Sequence, residues 1–180
     1  MSEELSELEG AVLGCIWSAG SMTAYAVAAQ FAKSRSSHFS GSAGAIYPLV
    51  SRLAEQGLLE ASEHMQGKRR SLSYALSTLG KRALRAWVAP PVPAWMAAVE
   101  FDPLRTRVLF LKILSPRQRQ RFVEDARQRL VGEIAATEQL IQEHTQEGDE
   151  FGAWGARGAL GVLRARQEWL AALQQHLTGE

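Results

Sequence analysis

The sequence predicts a mainly α-helical protein in two parts: a small module carrying one two-stranded hairpin, then an all-helical tail. Three observations carry that prediction. Residues 42–57 read as a helix stopped by Gly57, and two short alternating segments follow at once, 58–64 and 72–76. Between these segments lies a cationic tip, Gly67-Lys68-Arg69-Arg70. Beyond the run Pro90-Pro91-Val92-Pro93, apolar residues recur at helical spacing. A helix leading into a hairpin with a basic tip matches the shape and charge of the DNA groove and backbone. It is the core of a winged helix-turn-helix.

The charge distribution points the same way. The 180-residue chain has a formal net charge of only +1. Residues 11–89, however, hold nine Lys/Arg against three acids, while residues 90–180 hold eleven against twelve and the first ten residues hold four Glu. The cationic footprint thus coincides with the hairpin-bearing module. Apolar content of 46% and charged content of 22% are ordinary for a folded domain and argue against disorder. With no run of about 18 uncharged apolar residues and no basic-then-apolar leader, the expectation is a soluble cytoplasmic protein without membrane association. Cys15, the single cysteine, excludes an internal disulfide and sits in an apolar helical surround where it packs as a small hydrophobe.

Taken in order, the first helix is expected over residues 6–18, where Leu8, Ala11, Val12, Cys15 and Ile16 form one apolar stripe. Ala19-Gly20 breaks it. A second helix begins near Thr23, a good N-cap, and carries Tyr25, Val27, Ala28, Phe31 and Ala32. Polar residues 33–41 read as a loop, with Ser42 capping the third helix. On that helix Ala43, Ile46, Val50, Leu53 and Gly57 point one way, and Gly57 supplies a left-handed cap. Ser77 or Thr78 caps a fourth helix through Ala83, Leu84, Trp87 and Val88, which the prolines end. The boundary falls there, giving a winged-helix domain over residues 1–89 and a helical dimerisation domain over residues 94–180.

In the tail, Asp102 with Pro103 starts a helix over residues 104–114. Ser115-Pro116 opens the longest one, where Val123, Ala126, Leu130, Ile134, Thr137, Ile141 and His144 form a continuous seam. After Gly148-Asp149 a last helix carries Leu160, Leu163, Leu170, Leu173 and Leu177 on one side. Two such seams in so small a tail are expected to be satisfied by a second copy of the chain.

Several residues are candidates for contact with double-stranded DNA. Main-chain N–H groups at Ser42 and Gly44 would be free at a helix start and attract a phosphate, against ordinary capping as the plain alternative. Arg52 would reach a phosphate or a guanine edge, or else meet solvent or Glu55. Lys68, Arg69 and Arg70 have no packing purpose at a hairpin tip and suit the minor groove or backbone. Tyr74 is expected half-buried, its hydroxyl free for a phosphate. Trp17, Trp87 and Trp95 are candidates to stack on a flat aromatic effector, in a pocket between the DNA module and the tail, or simply to pack in the core. Trp154 and Trp169 suit a dimer interface. His38, His64, His144 and His176 show no metal-ligand spacing, and no nucleophile–base pair, phosphate-cradling loop or paired acids occur, so neither cofactor, metal nor enzyme activity is expected.

These residues resemble the PadR family of bacterial transcription regulators. The points of match are Leu8-Glu9 with Leu13-Gly14, Tyr25, and Ser42-x-Gly44-x-Ile46-Tyr47-Pro48-Leu49 with Arg52-Leu53 and Gly57-Leu58-Leu59. Gly67-Lys68-Arg69, Tyr74-x-Leu76 and Gly80 complete the set. A proline inside a recognition helix is unusual, which makes the Ile-Tyr-Pro triplet fairly specific. The N-terminal half carries the likeness by residues, the tail by layout, which is that of the longer-tailed branch. The resemblance implies a dimeric winged-helix protein, usually a repressor, which releases DNA when a small aromatic or drug-like molecule binds. Tyr47 could pack under the wing or hydrogen-bond a phosphate, and the resemblance implies that it faces DNA. Two departures stand out: Ala45 replaces a frequent Thr, and Ser51 leaves Arg52 as the helix's only cation. Lys33 and Arg35 in the loop and the wing are then expected to supply much of the phosphate contact. The competing reading is a winged-helix module that binds another protein, for which three cations at the tip have no use.

Overall fold

The computed structural model describes residues 5–34, 39, 43–66 and 69–179, with side chains for all of these except 43, 64–66 and 69–70. The chain divides into two compact units, Met1–Ala98 and Val99–Glu180.

The first unit opens with α1 (Glu7–Ala19), started by a capping box. The Ser6 hydroxyl accepts from the Glu9 N–H at 3.4 Å, and the Glu9 carboxylate accepts from the Ser6 N–H at 2.9 Å. Thr23 then serves twice. It belongs to the two-residue strand β1 (Met22–Thr23), and its hydroxyl caps α2 (Ala24–Ala32) by accepting from the Ala26 N–H at 3.1 Å. On α2, Val27 and Phe31 are buried, but Tyr25 is 72% exposed rather than part of that stripe. At about 100° per residue, two positions from Val27 place it on the opposite side of the helix. Phe39 lies in the segment predicted as a polar loop, yet it packs on the core with its ring 5.6 Å from Phe31, edge to face.

The third helix starts later than predicted. A 3-10 turn (Ala43–Ala45) precedes α3 (Ile46–Glu55), and Ala45 stands at the N-cap without a side-chain cap bond. Pro48 explains the shift. In a helix begun at residue 43 its ring would sit in the interior and cost about 3 kcal/mol. Begun at Ile46, the helix holds Pro48 in its first turn, where backbone N–H groups have no intrahelical acceptor. Ile46, Leu49, Val50 and Leu53 face inward.

Gly57, at φ 73°, turns the chain out of α3, and the Leu58 N–H returns to the Leu53 carbonyl at 2.9 Å. The hairpin β2 (Leu59–Gln66) and β3 (Arg69–Leu76) runs in register from Leu59↔Leu76 to Gln66↔Arg69. Both strands are longer than their side-chain alternation suggested, because the ladder is made of backbone bonds that need no apolar periodicity. β1 pairs antiparallel with β3 through Met22↔Tyr74, so the sheet order is β1-β3-β2.

Ser77 knits the hairpin to the next helix, α4 (Thr78–Val88). Its hydroxyl accepts from the Gly80 N–H at 2.9 Å and donates to the Gly57 carbonyl at 2.6 Å. A Cβ on Gly80 would overlap the Leu58 carbonyl, so only glycine permits this approach. Val12, Leu13, Ile16, Val27, Ile46, Val50 and Leu53, all fully buried, centre the core. Each contributes about 1.5–3 kcal/mol relative to exposure.

In the second unit, Asp102 caps α5 (Pro103–Val108) by accepting from the Leu104 and Arg105 N–H groups at 2.9 and 3.3 Å. The helix is shorter than predicted and gives way to a 3-10 turn (Leu111–Ile113). Arg119 takes up carbonyls from that turn, its Nε donating to Leu111 at 3.1 Å and Leu114 at 3.0 Å. Ser115 and Gln118 form a capping box at the start of α6 (Pro116–Glu147), and Asp149 caps α7 (Glu150–Thr178) after left-handed Gly148.

The predicted seams are present, but they satisfy each other. α6 and α7 fold back as an antiparallel hairpin that buries Val123, Leu130 and Leu170 among Ala126, Leu163, Leu173 and Leu177. The expectation that the two seams require a second copy is therefore corrected: a two-residue turn lets them meet within one chain. What the hairpin leaves uncovered is a different set, with Phe101, Leu109, Phe110, Ile113, Phe151 and Trp154 exposed. No helix among the described residues is long and apolar enough to cross a membrane.

Candidate nucleic-acid interface

With four residues of α3 turned inward, its other side presents Tyr47, Pro48 and Ser51 to solvent, beside exposed Gly44 and Ala45 of the preceding turn. Among the described residues nothing lies within 4 Å of where a Cβ on Gly44 would be, so on that side the approach to the helix start is open. Among the described residues no side chain caps the helix start at Ala45, and the helix dipole makes this end attractive to an anion. Tyr47, 49% exposed, stands beside it. Ser42 and Arg35 lie outside the described residues. Lys33 ends α2 and is exposed.

Arg52 has a partner that local spacing does not reveal. Its Nη2 lies 2.8 Å from Oε1 of Glu9, 43 positions earlier in the chain, and not against Glu55. The same carboxylate binds the Ser6 N–H and hydroxyl through Oε2, at 2.9 and 2.8 Å. Partial burial pushes the Glu9 carboxyl up, but the Ser6 bonds and the Arg52 guanidinium outweigh it and hold the group below the usual carboxylate range. The cation of the exposed helix is thus tied to the start of α1.

In the hairpin, Arg69 and Arg70 are strand positions, paired with Gln66 and Met65, rather than residues of the turn. Gly67 and Lys68 lie outside the described residues, as do the Arg69 and Arg70 side chains. Tyr74 is half-buried as expected, on the central strand and packed against the core.

The three tryptophans line two depressions, both built from the first unit alone. Trp17 and Trp87 share a cavity of about 750 Å³ between α1 and α4, a size suited to a small organic ligand. Gly14, Leu84 and Val88 also line it, and its polar lining is Ser18, Lys81 and Arg85. Among the described residues no acidic one lines it. Trp95 is not part of this cavity. It lines a second of about 590 Å³, with Leu5, Pro93 and Met96, and Trp87 forms a wall of both. Lys81 and Arg85 escaped the sequence reading, although their i, i+4 spacing on the helix that carries Trp87 was a usable signal.

A helix, a second helix, an exposed third helix and a three-stranded sheet ending in a long hairpin make up the winged arrangement. Residues 12–86 match the model of the transcriptional regulator PadR-like family, spanning all of these elements from within α1 to within α4. Over residues 12–86 the chain is thus similar to that family. Its members are transcription regulators rather than enzymes.

Solved PadR structures share the fold over nearly the whole chain. Bacillus subtilis PadR in complex with operator DNA superposes with a TM-score of 0.82 at 18% identity, covering 97% of this chain and 99% of that one. A PadR-like transcriptional regulator from Bacillus cereus gives 0.76 at 17% identity, covering 96% and 99%. Bacillus subtilis PadR in complex with p-coumaric acid gives 0.72 at 18% identity, with 95% of each chain covered. At this identity the likeness is one of fold, and it extends through the tail helices. No curated protein shows significant similarity to the chain.

Proposed function

We propose that the chain is a DNA-binding transcription regulator, acting in the cytoplasm as a homodimeric repressor on an inverted-repeat operator. The exposed Gly44–Ser51 side of α3, uncapped at its N-terminal end and adjoining a hairpin that carries Arg69 and Arg70, is the observation that carries this reading. In it, α3 enters the major groove, with the start of the helix and Tyr47 at phosphates. Lys33, Arg35 and the hairpin cations Lys68, Arg69 and Arg70 follow the backbone or minor groove, and the Tyr74 hydroxyl adds a phosphate bond. The exposed apolar residues of the second unit support association of two copies, since soluble monomers seldom leave so many large side chains in water. The PadR family assignment and the fold shared with an operator-bound protein support the same reading.

The effector in this reading occupies the Trp17–Trp87 cavity. An aromatic body would stack on the indoles, and an anionic group would meet Lys81 or Arg85. p-Coumaric acid, bound by the Bacillus subtilis protein, has that chemistry. Incubating the purified chain with fragments of its source genome tests the proposal by mobility shift. Retention of discrete fragments carrying an inverted repeat, with half-sites about 34–36 Å apart or a multiple of that, is the expected result. Failure to retain any fragment at low salt would overturn it.

A further inference from the structure

We propose that Glu9 is a positioning residue for DNA recognition: it holds Arg52 against α1 and withholds the only cation of α3 from the duplex. This rests on the DNA-binding reading above. Four observations lead to it.

Arg52 sits on the flank of the exposed side of α3, one residue after Ser51, and its side chain is 56% exposed. Among the described residues its hydrogen-bonded partner is the Glu9 carboxylate, 2.8 Å away. Glu9 itself is only 16% exposed and is immobilised by its bonds to the Ser6 main chain and hydroxyl. A rigid, ionised anchor thus faces a long, flexible cation, and the Arg side chain takes the orientation the anchor dictates.

The consequence is a division of labour. α3 and the turn before it meet the groove with Gly44, Tyr47 and Ser51, all neutral, while neutralisation of phosphates falls to Lys33 and the hairpin cations. Sequence-independent attraction at the reading helix is lowered, and shape and hydrogen bonding there weigh more in the choice of site.

The test uses the full-length chain and a duplex retained by the wild type. Glu9→Gln removes the charge but keeps the capping box, because Gln serves at that position as well as Glu. Released, Arg52 reaches a phosphate, so the salt slope of binding steepens by about 0.9. Affinity then falls about 3- to 4-fold more than for the wild type over an about fourfold rise in salt. Arg52→Gln alone leaves the wild-type slope unchanged, and Glu9→Gln with Arg52→Gln returns to it. An unchanged slope for Glu9→Gln, or a slope shallower by about 0.9 for Arg52→Gln, overturns the proposal. The second variant decides the matter even if the first folds poorly. Wild-type chain that binds no duplex at all would instead remove the DNA-binding reading, and this proposal with it.

Discussion

The indole of Trp87 lies directly over Gly10, so closely that a Cβ at that position would overlap its six-membered ring. α1 and α4 meet there at the separation only glycine allows, and the cavity that Trp87 walls on one side opens next to the contact. The residue before Gly10 is Glu9, which holds Arg52 of α3. One turn of α1 therefore touches both the cavity wall and the exposed helix.

Replacing Gly10 by Ala is expected to destabilise the first unit by about 1–3 kcal/mol, because either the ring or the helix must move. Urea unfolding followed by tryptophan fluorescence measures it. A midpoint within error of the wild type would show that Trp87 yields freely and that the contact is loose.

Ser77 and Gly80 lie at the junction of α3, the hairpin and α4. Ser77→Ala removes the cap of α4 and leaves the Gly57 carbonyl without its donor, an expected loss of about 1–3 kcal/mol. Gly80→Ala should cost more than Gly10→Ala, since its obstacle is the Leu58 backbone rather than a side chain. Thermal melting of the two glycine variants side by side checks the order, and a reversed order would contradict the packing described.

Two carboxyl groups tie stability to acid pH. At Asp102 burial pushes the carboxyl up, but the Leu104 and Arg105 N–H groups and Arg166, at 2.9 Å, hold it below its ordinary value, as Ser6 and Arg52 do for Glu9. A folded value below the unfolded one means that the stabilisation is complete above the unfolded value, about 4 for both groups, and lost as pH falls through the folded value. The urea midpoint should thus decline below about pH 4, more gently for Asp102→Asn than for the wild type. Identical acid limbs would show that the Arg166 pairing contributes nothing.

Much of this architecture was legible because its signals are local. Ser6, Thr23, Ser77, Asp102 and Ser115 each announce a helix within three residues, and all five act as caps. The α6 seam could be counted off directly, since every member from Val123 to His144 is buried or half-buried. What escaped depends on distant partners. β1 exists only because β3 offers Met22 and Thr23 a ladder, and the pairing of Arg52 spans 43 positions. The late start of α3 follows from Pro48, a local constraint, whereas Ser42 signals an earlier start. The seams are legible from spacing, whereas what covers them turns on a two-residue connection that spacing does not decide.

The most direct test of the central claim compares the salt dependence of duplex binding for the wild type and the Lys68→Ala, Arg69→Ala, Arg70→Ala variant. If the hairpin lies along DNA, the variant binds every duplex more weakly and its slope is shallower by up to about 2.7, corresponding to three phosphate contacts. Equal slopes, with both proteins folded, would show that the wing does not touch the nucleic acid and would contradict the account.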